Sequence, residues 1–131
     1  MSVSIVLISH SHELVEGLQK LLEQVQPNVK ITSAGGTAEK EIGTSSMKIK
    51  EAIEKVYSED GVAIFFDLGS ALMNAELAMD MLDDQRHVKI CNAPLVEGAY
   101  VATVEAGLGS TLEKVVSASE QVRQFNKIPD K

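Results

Sequence analysis

The feature that most constrains this chain is the abrupt change of pattern at its tenth residue. Val3-Ser4-Ile5-Val6-Leu7-Ile8 is a short, mostly apolar run rich in β-branched residues, suited to a strand covered on both faces. It stops at Ser9-His10-Ser11-His12. From Glu13 onward Leu14, Leu18, Leu21, Leu22 and Val25 recur at spacings of three and four, as on one face of a helix. A buried strand running directly into an amphipathic helix opens a βαβ unit. Ligands and chemistry gather in open α/β sheets where strand carboxyl ends meet helix amino ends. His10 sits at that junction, so its imidazole is expected at the functional rim of the sheet. Taken alone, His10 reads first as a polar turn residue, and it is the downstream sequence that changes this.

The rest of the chain repeats the alternation. Pro27 and Asn28 end the first helix, and Val29–Ala34 alternates as a second strand, expected to be shorter and more exposed than the first. Gly35-Gly36-Thr37 follows, where glycine permits positive φ or a close backbone approach. A second helix is predicted from Met47 to Val56, capped by Ser45 or Ser46. Val62–Phe66 is the most hydrophobic strand candidate and belongs in the centre of the sheet. It ends in Asp67-Leu68-Gly69-Ser70, and a helix runs from Ala71 to about Leu82, with Met73, Leu77 and Met81 read as its core stripe. After the solvated stretch 83–86 come a short strand, His87–Cys91, and a helix from Leu95 to about Ala106. The capping-box spacing Ser110-Thr111-Leu112-Glu113 then starts a last helix to about Gln124. This order predicts an α/β fold: an open, mostly parallel sheet of about four strands, with room for a fifth, and helices on both faces. One domain over residues 1–125 and a flexible tail at 126–131 are expected. If the first and third strands are neighbours, His10 and Asp67 face each other across one rim.

Composition narrows the classes. A hydrophobic fraction of 44% suits a folded chain with a real core. A formal net charge of −7 without a Lys/Arg cluster speaks against nucleic acid, whose footprint is a basic stripe. No apolar run approaches the roughly 20 residues of a membrane span, and the amino terminus lacks the pattern of a signal peptide. A cytoplasmic location is therefore expected. The single cysteine, Cys91, allows neither an intramolecular disulfide nor a cysteine metal cluster; it reads as a small buried apolar residue.

The rim residues suggest a specific chemistry. A carboxylate that accepts the N–H of an imidazole fixes its tautomer and leaves the other nitrogen with a lone pair. Such a ring can be a base, a metal ligand or a nucleophile. Metal sites usually need three or more protein ligands, which His12 and His87 do not obviously supply. Gly-x-Ser-x-Gly and Walker loops are also absent. A phosphate-accepting histidine fits better, since helix amino ends after His10 and Asp67 favour an anion. Ser11, Gly35, Gly36, Thr37, Gly69 and Ser70 are the candidate phosphate or rim contacts. Asp67 and Ser70 are also readable as helix caps, the glycines as simple turns, His12 as a surface residue and His87 as structural.

At this point five stretches carry a resemblance: Leu7–Ser11, Ala34–Thr37, Ile42–Ser45, Phe66–Ala71 and Ala93–Ala99. Together they resemble the phosphotransfer subunit of phosphoenolpyruvate-dependent dihydroxyacetone kinases, which is similar in fold to mannose-type IIA domains. The resemblance runs from the first strand to about residue 110. It implies that His10 is transiently phosphorylated by the phosphocarrier HPr and that Asp67 orients its imidazole. It further implies that the phosphoryl group passes to ADP on the kinase's nucleotide-binding subunit, supporting phosphorylation of dihydroxyacetone. ADP or ATP and magnesium would sit on that partner, this subunit would bind no cofactor, and the chain would form a homodimer, with Leu95–Gly109 suited to the interface. With Asp67 on Nδ1, phosphorylation is expected at Nε2. Two alternatives stay open: a IIA domain of a mannose-type sugar system that passes phosphate to a IIB protein, and a non-catalytic regulatory module.

Overall fold

The computed structural model describes residues 2–84 and 86–129. It contains β1 (Ser4–Ser9), α1 (His12–Val25), β2 (Ile31–Gly35), α2 (Ser46–Val56), β3 (Val62–Phe66), α3 (Ser70–Asp80), β4 (Val88–Ile90), α4 (Leu95–Gly107) and α5 (Leu112–Gln121). A single turn of 3₁₀ helix, Val122–Gln124, continues α5. The four strands are all parallel in the order β2-β1-β3-β4, and no fifth strand occurs among the described residues. β1 and β3 are adjacent, with Ile8 opposite Phe66. That register sets the first residues beyond each strand, His10 and Asp67, side by side at the carboxyl edge.

Helices cover both faces because every residue of β1 is buried. Ile5 and Leu7 join Ala63, Phe65 and Cys91 in a core under α1, α4 and α5, whereas Val6, Ile8, Val62 and Ile64 pack under α2 and α3. Phe65 is the largest fully buried side chain, so the central strand also anchors the first core. β2 is more buried than its alternating sequence suggested. Only Ser33 is partly exposed, because α1 and α2 close over both faces of that strand. The outer edge of β2 is blunted by side chains: Gln19 Nε2 donates to the Ile31 carbonyl at 2.9 Å. This satisfies a group that would otherwise invite a further strand.

Several sequence expectations are corrected by the packing. In α1 the buried stripe is Val15, Leu18 and Leu22, while Leu14 and Leu21 are exposed. In α3 the core face is Ala71, Ala75 and Ala78. Met73 is 77% exposed and Leu77 49%. Met73 and Leu77 are thus surface and Met81 is half-buried, because small alanines form the buried face of α3 and let it lie close against α2. Met47 is likewise exposed. Ser45 supplies the α2 cap, its hydroxyl accepting from the Lys48 N–H. In α5 the cap is Thr111, which accepts from the Lys114 N–H, while Ser110 instead donates to Glu105. The capping box one residue earlier does not form.

Gly35 is required by the approach of α1 to β2. A Cβ there would lie 2.5 Å from Val15 Cγ2, 2.7 Å from His12 Cα and 2.8 Å from the Ser11 carbonyl oxygen. Two of those three atoms are backbone, so the strain has no flexible side chain to absorb it. Gly35→Ala is expected to destabilise the fold by about 2–3 kcal/mol, the scale of overpacking, measured by denaturant unfolding. An unchanged midpoint would show that α1 can move away freely.

Candidate active site

His10 and Asp67 meet as the adjacent strands dictate. Asp67 receives four hydrogen bonds. Its Oδ1 accepts from His10 Nδ1 at 3.0 Å and from the Leu68 N–H at 2.7 Å. Its Oδ2 accepts from the Ser9 hydroxyl at 2.7 Å and from the His10 backbone N–H at 3.0 Å. An ionised carboxylate only accepts, so Nδ1 carries the imidazole proton and Nε2 keeps its lone pair. The Ser70 hydroxyl lies 2.8 Å from Nε2 and donates to it. The ring is thus held at both ends, with Ser70 opening α3 and the positive end of that helix on the Nε2 side.

Burial by itself would raise the Asp67 pKa. The hydrogen bonds from the His10 N–H, the Ser9 hydroxyl, the His10 ring and the Leu68 N–H outweigh it, and the carboxyl titrates below the ordinary value. The sign of the pH effect follows. A carboxyl depressed in the folded state adds stability that is complete above its unfolded pKa and is lost as pH falls through the folded one. The stability difference between wild type and Asp67→Asn should therefore be constant above about pH 5 and change below about pH 4, as wild type loses its contribution. Urea unfolding across that range checks it. A difference constant to about pH 2 would contradict the depressed value.

The other candidate residues divide. Gly36 takes positive φ, 74°, and its N–H donates to the Ser9 carbonyl at 3.1 Å, while the Gly43 N–H donates to the His10 carbonyl at 2.9 Å. The loop between them therefore packs directly on the backbone of the histidine. Thr37 closes that loop upon itself: its N–H donates to the Glu41 carbonyl and its hydroxyl accepts from the Glu41 N–H. Ser11 is the α1 cap, accepting from the Leu14 N–H, so its hydroxyl is committed away from the ring. Gly69 precedes α3 at the exposed rim without a side-chain cap. Asp67 binds the Leu68 N–H but does not cap α3, and Ser70 turns to His10.

His12 pairs with Glu16 at 3.1 Å on the α1 surface. His87 lends its carbonyl to the Val62 N–H. Cys91 is buried, and burial pushes its thiol up to about 12, which disfavours the reactive thiolate form. No cluster of three metal-ligating side chains occurs among the described residues.

Two residues carry more of the site than the sequence suggested. Ser9 is fully buried, its hydroxyl donating to Asp67 and accepting from the Ser11 N–H at 2.9 Å. A serine ending an apolar strand one residue before a candidate nucleophile was the available signal. Lys48, whose ammonium holds the Gly35 and Thr37 carbonyls, gave none.

An oriented imidazole at the carboxyl edge of a four-stranded parallel sheet is the arrangement of a phosphotransferase-system IIA component. Residues 4–116 match the family model for the PTS system fructose IIA component, and the chain belongs to this mannose-type IIA family. Within it, the chain is 41% identical over 122 residues to the PTS-dependent dihydroxyacetone kinase phosphotransferase subunit DhaM of Lactococcus lactis, covering 93% of this chain and 97% of that one. It is 39% identical to the phosphoryl donor subunit DhaM of dihydroxyacetone kinase 2 of Listeria innocua, covering 87% and 94%. The Providencia stuartii phosphoryl donor subunit is longer: at 38% identity the match covers 93% of this chain and 27% of that protein. Among solved structures, a IIA component from Streptococcus agalactiae superposes with a TM-score of 0.68 at 14% identity, covering 93% and 92%. That likeness is one of fold.

Proposed function

We propose that this chain is a phosphohistidine relay. It takes a phosphoryl group from phospho-HPr onto His10 and passes it to ADP bound on the nucleotide-binding subunit of a dihydroxyacetone kinase. The observation that carries the reading is the imidazole held between Asp67 on Nδ1 and Ser70 on Nε2. Relatives at 36–42% identity that are named as subunits of dihydroxyacetone kinase favour this acceptor over a IIB protein.

The chemistry balances on residues of this chain. The Nε2 lone pair attacks phosphorus in line as the bond to the donor's histidine breaks, and the imidazole gains positive character. Asp67, on the opposite nitrogen, stabilises that charge without facing the incoming phosphate. The Ser70 hydroxyl turns from Nε2 to donate to a phosphoryl oxygen, and the amino end of α3 stabilises the anion there. Such transfer depends on position and charge more than on covalent machinery. Return of the group reverses these steps, leaving Nε2 with its lone pair. Magnesium and nucleotide belong on the partner subunit, and a homodimer is the expected state.

The test is transfer of labelled phosphate from phosphoenolpyruvate through enzyme I and HPr. Addition of the kinase's nucleotide-binding and dihydroxyacetone-binding subunits should then move the label to dihydroxyacetone. Label that leaves only when a IIB protein is supplied would assign the chain to a sugar system. Absence of label would make it a regulatory module.

A further inference from the structure

The loop from Gly36 to Thr44 holds the backbone of His10 at its carbonyl, through the Gly43 N–H, whereas Asp67 Oδ2 holds it at its N–H. The peptide units on either side of the histidine are thus fixed by different elements. The loop takes positive φ at Gly36, Lys40 and Gly43, freely at the two glycines and against the steric preference of a side chain at Lys40, and it has external anchors. Two side chains from the covering helices supply them. Lys48 Nζ of α2 donates to the Gly35 carbonyl at 2.6 Å and the Thr37 carbonyl at 3.2 Å. Asn74 Nδ2 of α3 donates to Thr44 Oγ1 at 2.6 Å.

We infer that Lys48 is a positioning residue for phosphoryl transfer, aligning Nε2 of His10 by clamping the base of the Gly36–Thr44 loop. The inference rests on the relay reading. Gly35 belongs to the outer strand of the sheet, and its carbonyl points away from β1 to the open edge. The ammonium therefore ties that edge to the first residues of the loop and, through Gly36 and Gly43, to the carbonyls of Ser9 and His10. Its two acceptors are backbone carbonyls, which an ammonium suits as a compact cation with three donors. Asn74 performs the corresponding task at the far end of the loop. When the clamp is lost, partner docking is unchanged but the attacking nitrogen is less often aligned. Misplacement at this scale lowers turnover rather than affinity.

The experiment compares wild type, Lys48→Met and Asn74→Ala in two measurements. In transfer from phospho-HPr, Lys48→Met should lower kcat about tenfold with KM within twofold of wild type, and Asn74→Ala should lower kcat in the same sense. In amide hydrogen exchange, the Gly36 and Gly43 N–H groups should exchange about tenfold faster in Lys48→Met, with the β1 and β3 amides unchanged. A general loss of structure would accelerate the strand amides too. In that event Asn74→Ala decides, and its kcat equal to wild type overturns the inference. Wild-type kcat in Lys48→Met, unchanged Gly43 exchange, or a loss confined to KM would also overturn it. Failure of wild type to take up phosphate would instead remove the relay reading, while the exchange data would still report on the clamp.

Discussion

His10→Gln is expected to accept no phosphate from phospho-HPr while folding as wild type does. The glutamine amide can still reach towards Asp67 and Ser70, but its nitrogen lone pair is delocalised and is no nucleophile. His10 is only partly exposed, with 21% of its side chain accessible, and it lies outside both hydrophobic cores. Its loss should therefore shift stability by no more than about 1 kcal/mol, the scale of a hydrogen bond. Acid-labile label on this variant would locate the acceptor elsewhere. His12, the other histidine near the rim, is paired with Glu16 and is the residue such a result would implicate.

Asp67→Asn should retain the fold and lose on the order of a thousandfold in transfer rate, as expected when a carboxylate that sets a histidine tautomer becomes an amide. The carboxylate accepts at both oxygens, two donors at each. An asparagine must set its NH₂ group against one of those pairs. If the NH₂ faces His10 Nδ1, that nitrogen becomes the acceptor and the proton moves to Nε2, which removes the nucleophile. If it faces Ser9, the His10 N–H and the Ser9 hydroxyl lose their acceptor, and the ring turns with its backbone. Either orientation also removes the negative charge that stabilises the developing imidazolium. Single-turnover uptake of label measures the effect. A rate within tenfold of wild type would mean that Asp67 is only structural.

The sheet and the pairing of His10 with Asp67 were legible because both follow from local patterns. Two buried apolar runs each end in a polar residue before a helix, and neighbouring parallel strands bring such ends together. The helix faces were less legible. Leu14 and Leu21 in α1, and Met73 and Leu77 in α3, satisfy helical spacing as well as the residues that are actually buried. In α3, where alanines provide the packing surface, the larger apolar side chains Met73 and Leu77 are left outside, and hydrophobicity alone points to the wrong face. The roles of Lys48 and Asn74 were not legible either. Each acts on backbone or hydroxyl groups of a loop whose path is set by positive φ at three positions, and no spacing in the sequence encodes that path. The paired glycines were readable as a type but not in their division of labour. Gly35 is needed for the closeness of α1, and Gly36 for its backbone angle.

The most direct test of the account is nitrogen NMR on protein carrying ¹⁵N-labelled histidine, before and after phosphorylation by phosphoenolpyruvate, enzyme I and HPr. Before the reaction His10 should be the Nδ1–H tautomer, with its proton shared with Asp67. Afterwards phosphorus should be coupled to Nε2 of His10, with Nδ1 still protonated and the other two histidines unchanged. Phosphorus on Nδ1, or on a histidine other than His10, would contradict the account: Asp67 would then face the phosphate rather than the proton.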